Sequence, residues 1–339
     1  MTREATLAAS LVHDFLAFLE RQGHPRADVC RAAGIEAARL EQPNARVPAA
    51  YMERLWPLAE RLTGDADVGL HSAESYNPGA LGIVGYVVLS CRTAGEALDR
   101  LSRYIPLLND GQTVGIVDDG VRTTYRFSAV ADRDSYLHRD PRQAVETLAA
   151  GMVVTLQRLA VSPCQPAEVC FRHQAPPSIA EQMRVFGRVR FGQRDDVVVY
   201  DNATLRIPFI SADPALLAVF EGNAARTLSD LAARGGVSGR VLAVLGARLK
   251  GAVPSLAEVA SELAMSERAV QRSLTDEQTS YRQLVDDVRK NLAIEHLSRP
   301  GTSATDVAFL LGFSEPSAFT RAFRRWTGTP PTAFRAVNA

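Results

Sequence analysis

Two stretches in the last third of the chain, SLAEVASELAMSE (255–267) and SATDVAFLLGFSE (303–315), are copies of one unit. At an offset of 48 residues Ser255 falls on Ser303, Val259 on Val307, Ala260 on Ala308, Leu263 on Leu311, and Ser266-Glu267 on Ser314-Glu315. Glu258 faces Asp306, acid for acid. The offset then slips to 49, which sets Arg272 on Arg321 and Leu274 on Phe323. A repeat this short constrains the fold more than composition does, because each copy must bury its own apolar face.

Each copy spells out the same local structure. Ser255 with Glu258 is a capping box, S-x-x-E, and Ser303 with Asp306 is a weaker form of it. Val259, Ala260 and Leu263 make the inner stripe of a first helix. Ala264-Met265 and Gly312-Phe313 form a turn whose small first residue permits the backbone geometry and whose second residue plugs the core. Ser266 and Ser314 are expected to cap a second helix, with Val270 and Leu274, or Phe319 and Phe323, facing inward. Arg268, Gln271 and Arg272 in one copy, and Ser317, Thr320, Arg321 and Arg324 in the other, are left outward. A helix, a short turn, and a second helix with one dry and one basic face make a helix-turn-helix, whose second helix fits a DNA major groove. Arginine grips guanine O6 and N7 there, and glutamine pairs with adenine.

Between the copies, TSYRQLVDDVRKNLAIEHLSR (279–299) carries Tyr281, Leu284, Val285, Val288, Leu292 and Leu297 at helical spacing. A helix of roughly 20 residues spans about 30 Å, close to the ~34 Å between consecutive major grooves on one face of DNA. The expected partner is therefore double-stranded DNA, contacted at two adjacent major grooves. Charge adds little. From residue 237 onward 13 Arg and Lys stand against 10 Asp and Glu, a net +3 in a chain of net zero charge. Arginine also outnumbers lysine along the whole chain, where Lys250 and Lys290 are the only lysines. The arginines by themselves do not mark a phosphate-binding face.

Residues 237–336, and VAFLLGFSEPSAFTRAFRRWTGTPPTAFR (307–335) above all, resemble the DNA-binding domain of the AraC/XylS family of bacterial transcription regulators. Upstream, segments 44–74, 79–110 and 200–216 resemble the arabinose-binding-type effector domain of one branch of that family. The resemblance implies base-reading positions at Arg268, Ala269, Gln271 and Arg272 in the first unit, and at Pro316, Ser317, Thr320 and Arg321 in the second. Arg324, Arg325 and Trp326 are assigned to phosphate contact and packing. The chain departs from the family at Gln278, where glycine is common, and at Ser273, where a second basic residue is frequent. Pro316 has no polar side chain for a base, so the second unit is expected to read fewer bases. Implied partners are a small-molecule effector, RNA polymerase and a second copy of the chain.

The first two thirds read as an α+β sensing domain with a small sheet, ahead of an all-α C-terminal domain. Residues 1–63 are mostly helical by periodicity, as are 79–90, 94–108 and 140–160. QTVGIVDD (112–119) and VRTTYRFSAV (121–130) alternate with period two around Asp119-Gly120, which predicts a hairpin. Shorter strands are expected at 167–173 and 196–201. A helix near 214–232 leads to ARGGVSG (233–239), read as a linker between a sensing domain, 1–232, and a DNA-binding domain, 240–339. The helix-turn-helix units are set at 255–275 and 303–326. His71, Tyr86, Tyr104 and His138 are the candidate effector-pocket residues.

At 46% apolar the chain holds enough hydrophobic mass for two or three domains, with no apolar run near the ~20 residues of a membrane-spanning helix. No secretion signal opens the sequence, so a cytoplasmic location is expected. Cys30, Cys91, Cys164 and Cys170 form no CxxC pair and are expected to be free thiols. The six histidines include no HExxH, and glycines 79, 82 and 85 lack the spacing of a phosphate loop, so neither metal nor cofactor is expected. No nucleophile elbow or paired carboxylates argue for an enzyme. Two other readings stay open from sequence: a DNA-binding tail fused to an enzyme, and a dimeric regulator without an effector.

Overall fold

The computed structural model describes residues 3–41, 45–76, 81–130, 133–134, 142–234, 236–249, 251–297 and 303–338. The chain divides into two compact units, Thr2–Ala225 and Arg226–Ala339.

The first unit opens with β1 (Arg3–Glu4), β2 (Thr6–Ala8), α1 (Ala9–Arg21), α2 (Arg26–Ala33), α3 (Ala37–Leu40), β3 (Arg46–Pro48) and α4 (Ala50–Thr63). It continues with α5 (Val68–Glu74), α6 (Ile83–Ser90), α7 (Ala94–Leu108), β4 (Gln112–Asp118), β5 (Arg122–Ala129), β6 (Arg133–Asp134) and α8 (Arg142–Leu159). The last elements are β7 (Glu168–Cys170), α9 (Ala180–Phe186), β8 (Val189–Arg190), β9 (Asp196–Asp201), α10 (Asn202–Leu205) and α11 (Pro214–Arg234), whose end belongs to the second unit.

The predicted hairpin forms, with Val114 opposite Phe127 and Ile116 opposite Tyr125, and its strands join a five-stranded sheet of order β4-β5-β9-β7-β8. All neighbours in it are antiparallel except β7 and β8. Period-two burial is clean in β9, where Asp196, Val198 and Tyr200 point inward. Tyr125 and Tyr200 meet edge-on with ring centroids 6.5 Å apart. Residues 1–63 are mostly helical as expected, with the short strands β2 and β3, pairing antiparallel through Leu7 and Val47, as an addition. Strands of three residues are too short to show a period against helical neighbours.

Helix α8 is buried along much of its length, at Gln143, Glu146, Ala149, Ala150 and Val153 among others. It packs on α5 because Gly69 has no side chain: a Cβ there would lie 2.6 Å from Gln143 Oε1 and from Thr147 Oγ1. Instead the Gly69 N–H donates to Gln143 Oε1 at 2.9 Å. Arg142, Gln182 and His173 surround the Glu146 carboxylate, whose burial pushes its pKa up.

The second unit is all helix among the described residues: α12 (Gly236–Arg248), α13 (Leu256–Glu262), α14 (Glu267–Asp276), α15 (Tyr281–Leu297), α16 (Ala304–Leu310), α17 (Pro316–Thr327) and α18 (Pro331–Asn338). Most of the 233–239 stretch is helical, α11 running to Arg234 and α12 starting at Gly236. Gly236 has φ of +84°, and the α12 N-terminus is pinned by Glu277, whose carboxylate accepts the N–H groups of Val237 at 2.7 Å and Ser238 at 2.9 Å.

Candidate nucleic-acid interface

The capping box of the first copy is complete. Ser255 Oγ accepts the Glu258 N–H at 3.2 Å, and the Glu258 carboxylate accepts the Ser255 N–H at 2.6 Å. Those hydrogen bonds hold the Glu258 carboxyl below its ordinary pKa. The chain then turns at Ala264, a non-glycine residue with φ of +54°, and Met265 packs back on the core. Ser266 caps α14 by accepting the Ala269 N–H at 3.2 Å.

In the second copy the Ser303–Asp306 box also has both reciprocal bonds, at 3.0 and 3.1 Å, the bond to the Ser303 N–H being longer than the 2.6 Å of its counterpart at Ser255. Gly312 takes the turn with φ of +71°, and a Cβ there would sit 3.2 Å from Ala252 Cα. The expected Ser314 cap is corrected: Glu315 is the N-cap of α17, and Pro316 occupies the first helical position. Proline fits there because its missing N–H would have no intrahelical acceptor. The helix starts one residue later than its counterpart, which is the physical content of the slip from 48 to 49.

Helix α15 binds the two copies together. It begins at Tyr281, two residues later than expected, because Ser280 caps it through the Gln283 N–H at 3.3 Å. At 17 residues it is about 25 Å long. Its first half gives Leu284 and Val285 to the core of Val259, Leu263, Val270 and Leu274. Its second half gives Ala293 and Leu297 to the core of Val307, Leu311, Phe319 and Phe323. Val288 and Val253 pack against both. One helix shared by two cores fixes the copies relative to each other, since interiors are close-packed and resist sliding.

Sequence reasoning missed two residues that hold the turns. Arg289 of α15 donates from Nε to Leu311 O and from Nη2 to Gly312 O, both at 2.8 Å. Arg240 of α12 donates from Nη2 to Leu263 O at 2.8 Å and approaches Met265 Sδ at 3.8 Å. Each arginine satisfies carbonyls left open at the end of the first helix. They stand 49 residues apart, so the repeat extends upstream of Ser255, a signal that was available in the sequence.

Arg268, Gln271 and Arg272 on α14, and Ser317, Thr320, Arg321 and Arg324 on α17, are exposed, while Ala269 and Pro316 are half-buried. Among the described residues, none of these four arginines pairs with a carboxylate. The hydroxyls of Ser317 and Thr320 donate within their own turn, to Glu315 Oε2 at 3.2 Å and to Pro316 O at 3.0 Å. Arg325, expected at phosphate, instead pairs with Asp286 of α15 at 2.8 Å. Trp326 packs on the second core, its ring 6.1 Å from that of Phe313. Gln278 has φ of +57° directly after the α14 C-cap, the left-handed geometry in which glycine is at ease.

The first unit holds a cavity lined by residues of β2, α1, α4, α7 and α8, among them Leu7, Trp56, Leu101, Asn109, Thr147 and Met152. His71, Tyr86 and Tyr104 do not line it. His71 sits between Asp65 (Nδ1 to Oδ2, 2.6 Å) and Glu181 (Nε2 to Oε2, 3.1 Å). Burial alone would lower its pKa, but these two carboxylates outweigh it and hold the imidazole above its ordinary value. Tyr86 is exposed and stacks on Phe220 at 5.2 Å, and Tyr104 is fully buried in the core. His138 lies outside the described residues. The cysteines are free thiols, and no metal-holding cluster occurs among the described residues. No helix among them is long and apolar enough to cross a membrane.

Residues 23–209 match the family described as "Arabinose-binding domain of AraC transcription regulator, N-term", and residues 259–336 match a "Helix-turn-helix domain" family. The chain is 33% identical over 318 residues to the ornithine utilization regulator of Pseudomonas aeruginosa, covering 91% of each chain. It is 27% identical over 275 residues to the transcriptional regulator VirS of Mycobacterium tuberculosis, covering 80% of this chain and 79% of that one. Among solved structures, the transcriptional regulator CdpR of Pseudomonas aeruginosa is similar over 91% of this chain and 96% of that one, at 21% identity and a TM-score of 0.41.

Proposed function

Since the chain belongs to the AraC family of DNA-binding transcription regulators, we propose that α14 and α17 read two consecutive major grooves on one face of a promoter, under the control of a small metabolite sensed by residues 2–225. The observation that carries this reading is the sharing of α15 by both helix-turn-helix cores, through Leu284 and Val285 at one end and Ala293 and Leu297 at the other. A rod of about 25 Å locked into both cores suits reading heads that must meet grooves ~34 Å apart. Further support is the exposure of Arg268 and Arg272 on one second helix and of Arg321 and Arg324 on the other.

In this reading Arg272 and Arg321 reach base edges and Arg324 reaches phosphate. Gln271 adds an adenine-type contact that the second copy lacks, so the first unit carries more of the sequence discrimination. Promoter occupancy then controls transcription by RNA polymerase. The test is a gel-shift titration of the full chain on the promoter regions of its own and neighbouring genes, against random DNA at fixed salt. Preference for one promoter by tenfold or more is expected, and equal affinity for all fragments contradicts specific reading.

A further inference from the structure

The cavity of the first unit bears on what that unit takes, and the inference rests on reading residues 2–225 as effector-sensing. Among the described residues, twenty-one line the cavity, and none of these is Asp, Glu, Lys, Arg or His. Five bring polar side chains: Tyr76, Asn109, Gln112, Thr147 and Thr155. Tyr76, Asn109, Gln112 and Thr147 already have interactions within the fold. Asn109 Oδ1 accepts the Gly111 N–H at 2.9 Å, and the Thr147 hydroxyl donates to Gln143 O at 2.5 Å.

Two charges near the lining in sequence or contact, Asp110 and Arg46, are turned to other tasks. Asp110, next to Asn109, accepts the Thr6 N–H at 2.7 Å and the Thr6 hydroxyl at 3.0 Å. Arg46 donates to Thr6 Oγ1, Leu107 O and Thr6 O, at 2.7 to 2.8 Å. A free amino acid would bring a carboxylate and an ammonium against described walls that offer no counter-charge, and desolvating each costs several kcal/mol. A pentose would bring several hydroxyls, each losing roughly 1–3 kcal/mol if left unpaired.

One wall residue asks for a partner. Trp56 is 7% exposed, lines the cavity, and its indole Nε1–H has no hydrogen-bond acceptor among the described residues. Buried indole N–H groups usually find an acceptor. We infer that the cavity binds an uncharged, mostly hydrocarbon small molecule carrying an oxygen acceptor that takes the Trp56 Nε1–H hydrogen bond.

The full chain is titrated with N-phenyl-1-naphthylamine, an uncharged probe that brightens in apolar sites. Methyl octanoate, D-xylose and L-lysine are then tested as competitors. The ester is expected to displace the probe while the sugar and the amino acid do not at hundredfold higher concentration. W56F is expected to weaken the ester at least fivefold more than it weakens the probe. If W56F does not fold, the wild-type chain serves: 15N-labelling gives indole signals from Trp56 and Trp326 alone, and the ester is expected to move that of Trp56 downfield.

No probe binding, displacement by xylose or lysine but not by the ester, or an unmoved Trp56 signal with the ester bound would each overturn the inference. Gel shifts on the same preparation without ester report the DNA-binding reading separately. A chain that shifts promoter DNA and ignores every probe overturns the inference alone. One that binds ester through Trp56 and fails on DNA supports the inference and overturns the DNA reading.

Discussion

The guanidinium of Arg289 lies 4.1 Å over the ring of Phe313 while bonding Leu311 O and Gly312 O, the carbonyls of consecutive residues where the chain enters the turn. A residue of the connecting helix thus holds the turn of the second helix-turn-helix from below. The aromatic ring caps the charge from the other side, and burial lowers the pKa of the guanidinium without discharging it.

Arg289→Ala is expected to destabilise the second unit by about 2–3 kcal/mol, from two buried carbonyl partners and one cation–π contact. Arg240→Ala, which removes one hydrogen bond to Leu263 O and a weak contact to Met265 Sδ, should cost about 1 kcal/mol. Urea denaturation of the full chain, followed by a probe in the second unit, checks the order. Equal costs would mean that the Phe313 stack contributes nothing.

The two turns make opposite predictions for glycine and alanine. Ala264→Gly relieves a left-handed alanine and is expected to stabilise by roughly 0.5–1 kcal/mol. Gly312→Ala forces a side chain into the same geometry against the Ala252 backbone, and is expected to cost about 2 kcal/mol. Thermal unfolding of the two variants checks the signs. A destabilised Ala264→Gly would show that the alanine methyl supports packing that outweighs its strain.

Much of the second unit was legible because its signals are local. Capping boxes act over three residues, and the Val270/Leu274 and Phe319/Phe323 stripes recur at four. The one-residue error at Ser314 arose where proline displaced the serine from the cap, which register alone does not reveal. Arg240 and Arg289 were passed over because the copies were aligned only from Ser255 onward. In the first unit the hairpin was plain from alternation around Asp119-Gly120. The cavity was not, since Leu7, Trp56, Leu101 and Thr147 are brought together from four distant segments and none carries a local mark. Tyr104 drew attention as an aromatic, yet it fills the core, while Trp56 was not singled out.

His71 supplies a pH-dependent contribution to the first unit. Its pKa is raised in the folded state, so its pairing with Asp65 and Glu181 stabilises fully below the unfolded pKa of about 6.5. That contribution is lost as pH rises through the higher folded value. His71→Gln is therefore expected to lower the urea midpoint more at pH 5.5 than at pH 8.5. A gap that stays constant, or widens with pH, contradicts the charged pairing.

Arg272→Ala and Arg321→Ala are each expected to weaken binding to the preferred promoter by about 1–3 kcal/mol, with a much smaller loss on random DNA, as for a base contact. Arg324→Ala should weaken both alike and reduce the salt slope. Gel-shift titrations at two salt concentrations separate these cases. Equal losses on both DNAs for Arg272→Ala would reassign that arginine to phosphate.

The central claim, that one rod holds two reading helices against the same face of DNA, is tested most directly by hydroxyl-radical footprinting of the full chain on its preferred promoter. Two protected patches about one helical turn, roughly 10 base pairs, apart on one face are expected. A single patch, or two on opposite faces, would contradict it.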